Sequence, residues 1–100
     1  MRPNFVVGIG GSAGALEAYK ALLDELPAPT GMAFVINFHM HPEANSHLTE
    51  ILGRHTKMPV VVASDAKQIR ANHVYVIPPD SDLLMEGNAF KIVSPRTARN

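Results

Sequence analysis

Phe5-Val6-Val7 runs directly into Gly8-Ile9-Gly10-Gly11-Ser12-Ala13-Gly14, after which Leu16, Tyr19, Leu23 and Leu26 recur at helical spacing until Pro27. The apolar run is continuous rather than alternating, which predicts a strand covered on both faces. Glycines then permit a sharp bend into an amphipathic helix that Pro27 stops. Few architectures accept a central strand, a tight glycine turn and a helix in that order, and most of them are wound on a parallel sheet.

The rest of the chain repeats the alternation. Met32 to Phe38 gives a second continuous apolar strand leading to His39-Met40-His41-Pro42. From about residue 43 to 55, Leu48, Ile51, Leu52 and His55 share one face, predicting a second helix. Pro59 opens Val60-Val61-Val62-Ala63, and a polar segment over 64–72 leads to His73-Val74-Tyr75-Val76-Ile77, halted by Pro78-Pro79. Leu83-Leu84-Met85 and Ala89 to Val93 flank Glu86-Gly87-Asn88 as a short hairpin. We therefore expect an α/β fold: a doubly wound, mostly parallel sheet with helices on both faces and a C-terminal β-hairpin.

Composition narrows the function. At 100 residues, with 46% hydrophobic and 18% charged residues, the chain supports one globular unit around one core. Nine basic and nine acidic residues cancel without forming runs, so no broad field is present for nucleic acid or an anionic membrane surface. Cysteine is absent, which removes disulfides, thiolate metal sites and a thiol nucleophile together. No apolar stretch is long enough for membrane insertion, and the start of the chain shows no leader pattern, so a cytoplasmic protein is expected.

Chemistry in parallel sheets collects beyond the carboxyl ends of the strands, where Ser12 and His39 fall. Three readings of the glycine turn compete. Gly10-Gly11-Ser12-Ala13-Gly14 fits a G-x-S-x-G nucleophile turn, with the Ala13 N–H as natural oxyanion donor. Gly8-x-Gly10-x-x-Ala13 also fits a dinucleotide fingerprint, but Asn37, Phe38 and His39 stand where that reading requires an acid after the second strand. In the third reading the glycines allow close strand-to-helix packing and Ser12 only caps the helix. His39 either closes a strand end or serves as general base to Ser12. His39, His41 and His47 suggest a metal set, yet no carboxylate or thiolate stands with them at ligand spacing, and no metal is expected. His55 and His73 read as a helix-face and a strand-start residue without partners. Asp65, after the third strand, is the one carboxylate inside the chain placed to orient a histidine in the crevice.

Taken together, Val7 to Gly14, Leu16-Glu17-Ala18, Phe34-Val35-Ile36 leading to His39-Met40, Met58-Pro59-Val60-Val61, and Val74 to Pro79 with Asp82-Leu83 resemble the catalytic domain of the chemotaxis protein-glutamate methylesterases (CheB-type). The chain departs from that family's pattern at Ala15, Phe38 and His41. The resemblance implies Ser12 as nucleophile and His39 as catalytic histidine. It also implies hydrolysis of glutamyl methyl esters on chemoreceptor helices with release of methanol, some members deamidating receptor glutamines, and no cofactor. The family's orienting aspartate is expected beyond residue 100, so residues 1–100 are expected to be the N-terminal part of a single catalytic domain without a receiver domain, weak or inactive alone and prone to self-association. The alternative is a catalytically silent methylesterase-like interaction module of a larger signalling protein.

Overall fold

A computed structural model of the chain describes residues 3, 5–12, 16–27, 30–39, 47–78 and 82–93. Its strands are β1 (Val6–Ser12), β2 (Ala33–His39), β3 (Val60–Val62), β4 (His73–Val76), β5 (Asp82–Glu86) and β6 (Ala89–Val93), with helices α1 (Leu16–Glu25) and α2 (Leu48–Gly53). The first four strands form a parallel sheet in the order β1-β2-β4-β3, and β5 and β6 pair separately as an antiparallel hairpin. The expected α/β architecture is present. The predicted second helix is described from Leu48 onward, and residues 40–46 lie outside the described set.

The continuous apolar strands divide their side chains between two cores. Phe34, Ile36, Val74 and Val76 join Tyr19 and Leu23 of α1 and Leu48 and Leu52 of α2 in one buried cluster. Ala33, Val35 and Tyr75, the alternate positions, join Ile69 and Phe90 in the other, with Leu83 and Ile92 packed alongside. Strand periodicity of two sends neighbouring residues to opposite faces, so a run apolar at every position needs a cover on each. The described helices both cover one face, where helices on both had been expected; the hairpin and the 64–72 segment cover the other.

That segment is sewn to the hairpin by its backbone. The Ala66 and Ile69 N–H groups donate to the Phe90 and Asn88 carbonyls (both 2.8 Å), and the Phe90 N–H donates to the Lys67 carbonyl (2.9 Å). Gly87, at φ 60°, forms the two-residue turn with Asn88 that closes the hairpin. Phe90 thereby sits edge-on to Tyr75, ring centroids 4.8 Å apart, both almost wholly buried.

Two side-chain ties were not expected from the sequence, and both correct the reading of His55 and His73 as partnerless. His55 Nδ1 lies 2.9 Å from Asp24 Oδ1, linking the end of α1 to the residues after α2. Both groups are partly solvated, so the tie contributes at most about 1 kcal/mol. His73 Nδ1 lies 2.8 Å from the Ala71 carbonyl, and its ring stacks on Tyr75. The partners come from tertiary placement and from a backbone carbonyl, which sequence spacing does not reveal.

Asn72 holds the starts of β2 and β4 together. It adopts φ 62°, its side-chain oxygen accepts the Gly31 N–H (2.7 Å), and its own N–H donates to the Met32 carbonyl (2.8 Å). Asparagine tolerates this left-handed conformation where most side chains are strained. Asn72→Ala is expected to lower stability by about 2 kcal/mol, one part hydrogen bond and one part backbone strain, and Asn72→Gly by about half as much. Urea midpoints of the two variants separate the contributions.

Candidate active site

Ser12 is the last residue of β1 and His39 the last of β2, and the two are direct partners in the parallel ladder. Adjacent strands lie about 4.8 Å apart, which brings these two backbone positions together at the carboxyl end of the sheet. The sequence places the sharp turn at Gly8–Gly14; in the structure β1 continues through Gly10 and Gly11 to Ser12, because β2 offers a matching length of strand to pair with. The side chains of Ser12 and His39 lie outside the described set, as do Ala13 and His41.

Along the same pair of strands, Gly8 and Gly10 of β1 and Val35 and Asn37 of β2 line an open cleft of about 760 Å³, walled by Leu83, Leu84 and Met85 of β5. Gly10 and Asn37 are ladder partners, and Ser12 and His39 occupy the next positions of that alternation. Apart from Asn37 the lining is apolar or glycine, and Leu84 and Met85 are more than half exposed. Sequence reading missed the cleft, although the period-two set Val6, Gly8, Gly10 carried its signal.

A β-carbon added at Gly8 or Gly10 would meet nothing within 4 Å among the described residues. Close packing against the helix is therefore not what these two glycines provide; they leave the cleft floor open. Gly10→Ala is expected to leave the fold intact and raise its stability by roughly 0.5–1 kcal/mol, since alanine loses less chain entropy than glycine on ordering. Thermal melts of the purified variant check this.

Asp65 is placed elsewhere than the crevice. Its Oδ1 accepts the Ile92 N–H of β6 at 2.9 Å. It follows β3, which the sheet order sets two strand spacings from β2, about 10 Å. Its role is to anchor the hairpin. Of the histidines considered for a metal, His47 is exposed and lies 3.9 Å from Glu50. Among the described residues no group of three or more histidine, cysteine or acidic side chains is arranged to hold a metal ion, and no helix is long and apolar enough to cross a membrane.

Comparison with known proteins shows the family and the fold. Residues 7–100 match the family described as CheB methylesterase. The protein-glutamate methylesterase/protein-glutamine glutaminase of Yersinia pestis bv. Antiqua (strain Antiqua) is 35% identical over 78 residues, covering 78% of this chain and 22% of that protein. The enzyme of the same name from Hydrogenovibrio crunogenus is 36% identical over 81 residues, 81% of this chain and 21% of its own. The chain thus spans about a fifth of the length of these curated relatives. Among solved structures, the Thermotoga maritima CheB methylesterase catalytic domain superposes with a TM-score of 0.79 at 22% identity, over 94% of this chain and 51% of that one, and so shares the fold. The chain belongs to the CheB methylesterase family.

Proposed function

We propose that the protein is a protein-glutamate methylesterase that uses Ser12 as nucleophile and His39 as general base, and that residues 1–100 are the N-terminal part of its single catalytic domain. The observation that carries this reading is the ladder pairing of Ser12 with His39 at the carboxyl ends of adjacent parallel strands. In the proposed reaction the Ser12 hydroxyl adds to a glutamyl methyl ester carbonyl as His39 takes its proton. The Ala13 N–H stabilises the tetrahedral oxyanion. His39 then returns the proton to the departing methoxide, releasing methanol. Water attacks the glutamyl-serine ester with His39 again as base, freeing the glutamate carboxylate and Ser12. Deamidation of a receptor glutamine follows the same course with ammonia as leaving group.

The substrate is a methylated chemoreceptor in the cytoplasm, and no cofactor takes part. Any phosphorylation control comes from a domain outside these residues. Asp65 is bonded to β6; as the family resemblance implies, the orienting acid for His39 comes from a later part of the catalytic domain, and the 100-residue chain alone turns over weakly. Methanol release from methylated receptor by the full-length protein tests the reading. Absence of release, with receptor binding retained, would favour the silent interaction module.

The same residues support self-association. β1 pairs on one side only within the described sheet, and Phe5, Leu84 and Met85 are 69%, 53% and 55% exposed. An unpaired strand edge beside apolar surface is a template for another chain. Light scattering of the 100-residue chain is expected to show a mass that rises with concentration; a constant monomer mass would rule this out.

A further inference from the structure

At the opposite end of the sheet lies a second cleft, of about 470 Å³, lined by Lys67, Gln68, Arg70, His73 and Tyr75. Among the described residues no carboxylate lines it. None of the ion pairs among the described residues involves Lys67 or Arg70, and no acidic oxygen is bonded to His73 there. Lys67 and Arg70 are both exposed. Two cationic residues therefore line the same pocket in a chain whose net charge is zero.

The frame that carries them is fixed. The Phe90 N–H donates to the Lys67 carbonyl, and the intervening Ile69 is buried with its N–H on the Asn88 carbonyl. The Arg70 N–H donates to the Tyr75 hydroxyl oxygen (2.9 Å), and that hydroxyl donates to the Gln68 carbonyl (3.3 Å). A carbonyl only accepts, so the Ala71 contact places the neutral His73 proton on Nδ1 and leaves Nε2 as the ring nitrogen with no bond among the described residues. Two cationic groups are thus presented from a segment whose own backbone bonds are already made, and little ordering remains when a ligand arrives.

We propose that this cleft binds a phosphate group, with Lys67 and Arg70 as its charged ligands and His73 at its side. Two uncompensated cations match a dianion, which phosphate approaches near neutral pH and a single carboxylate does not. The guanidinium fork and the ammonium are both suited to phosphate oxygens. A cation pair beside β3 also discourages edge-to-edge pairing of that short strand, which would need charge but no bound ligand. The site is separate from the Ser12–His39 pair: His73 is the ladder partner of Ala33, which starts β2, while His39 ends it, about 20 Å along the strand.

The test is an amide NMR titration of the full-length protein with sodium phosphate, O-phosphoserine and glutarate, each against sodium chloride at matched ionic strength. Saturable shifts confined to residues 67–75 are expected with phosphate or phosphoserine, whichever binds more tightly identifying the free ion or the ester as the source. Lys67→Gln combined with Arg70→Gln removes two charge-assisted bonds, each worth about tenfold in affinity, and is expected to weaken binding about a hundredfold with the remaining spectrum unchanged. Chloride reproducing the shifts, glutarate binding as well as phosphate, or the double variant binding like wild type would each overturn the proposal.

Discussion

Ser12→Ala in the full-length protein is expected to reduce methanol release from a methylated receptor by at least about a thousandfold, and His39→Ala to do so comparably. In a nucleophile–base pair, removing either member disables the same covalent step, so the two losses are alike and do not add. What remains comes from substrate binding and the oxyanion donor, which in serine hydrolases leave about a thousandfold to ten-thousandfold rate advantage over water. The double variant therefore distinguishes a working pair from two independent contributors: equal loss in the single and double variants supports the pair, and multiplying losses argue against it. Ser12 and His39 sit at strand ends, and circular dichroism and thermal melts of each variant must match wild type for the comparison to hold. Wild-type inactivity in the same assay would instead favour the interaction module.

The second large effect is structural. Phe90→Ala is expected to cost about 3–5 kcal/mol, the usual range for a fully buried aromatic truncated to alanine. Phe90 is 2% exposed, faces Tyr75 in an edge-on pair, and belongs to the cluster that seals the hairpin side of the sheet. A domain of this size has only about 5–15 kcal/mol in total, so roughly a fifth or more of its stability rests on this ring. Phe90→Leu retains most of the apolar volume and loses the aromatic pairing, worth about 0.5–1.5 kcal/mol. Guanidinium unfolding of both variants checks the order; a loss below about 1 kcal/mol in Phe90→Ala would mean that the hairpin is not docked on the sheet.

Much of this was legible in the sequence because the governing signals are local. Met32 to Ile36 and Val74 to Val76 are apolar at consecutive positions, and such strands need two covers, which the structure supplies. Phe5 to Ile9 was expected to be a central strand covered on both faces, but β1 stands at the edge of the described sheet with Phe5 69% exposed. Gly87 marks the hairpin turn because that corner requires a positive φ. Three features were not legible, each for a physical reason. The insertion of β4 between β2 and β3 depends on which strand edge is free when the chain returns, and apolar content does not encode that. Asp65 follows a strand as catalytic acids in such sheets often do, but its oxygen serves the Ile92 amide, a partner 27 residues away in sequence. The continuation of β1 to Ser12 reflects pairing with β2, whereas glycine content alone suggests an earlier bend. For the candidate site, sequence supplied the two residues and the fold supplied their adjacency.

The strand order also sets a timetable. Val6 pairs with Ala33, Ala33 with His73, and Val60 with Val74, so every strand pairing in the sheet bridges a crossover rather than a tight turn. Only the β5–β6 hairpin is local, and hairpins close within about 1–10 μs, whereas topologies built on distant pairings take milliseconds to seconds. The hairpin is therefore ready long before it has a sheet to land on. During synthesis, β1 and β2 leave the ribosome and wait for β4, which must slot in beside β2 and receive β3 on its far side. In that interval both edges of the young β1–β2 pair are bare, and the interval, more than the finished structure, is when the chain most needs protection from its neighbours.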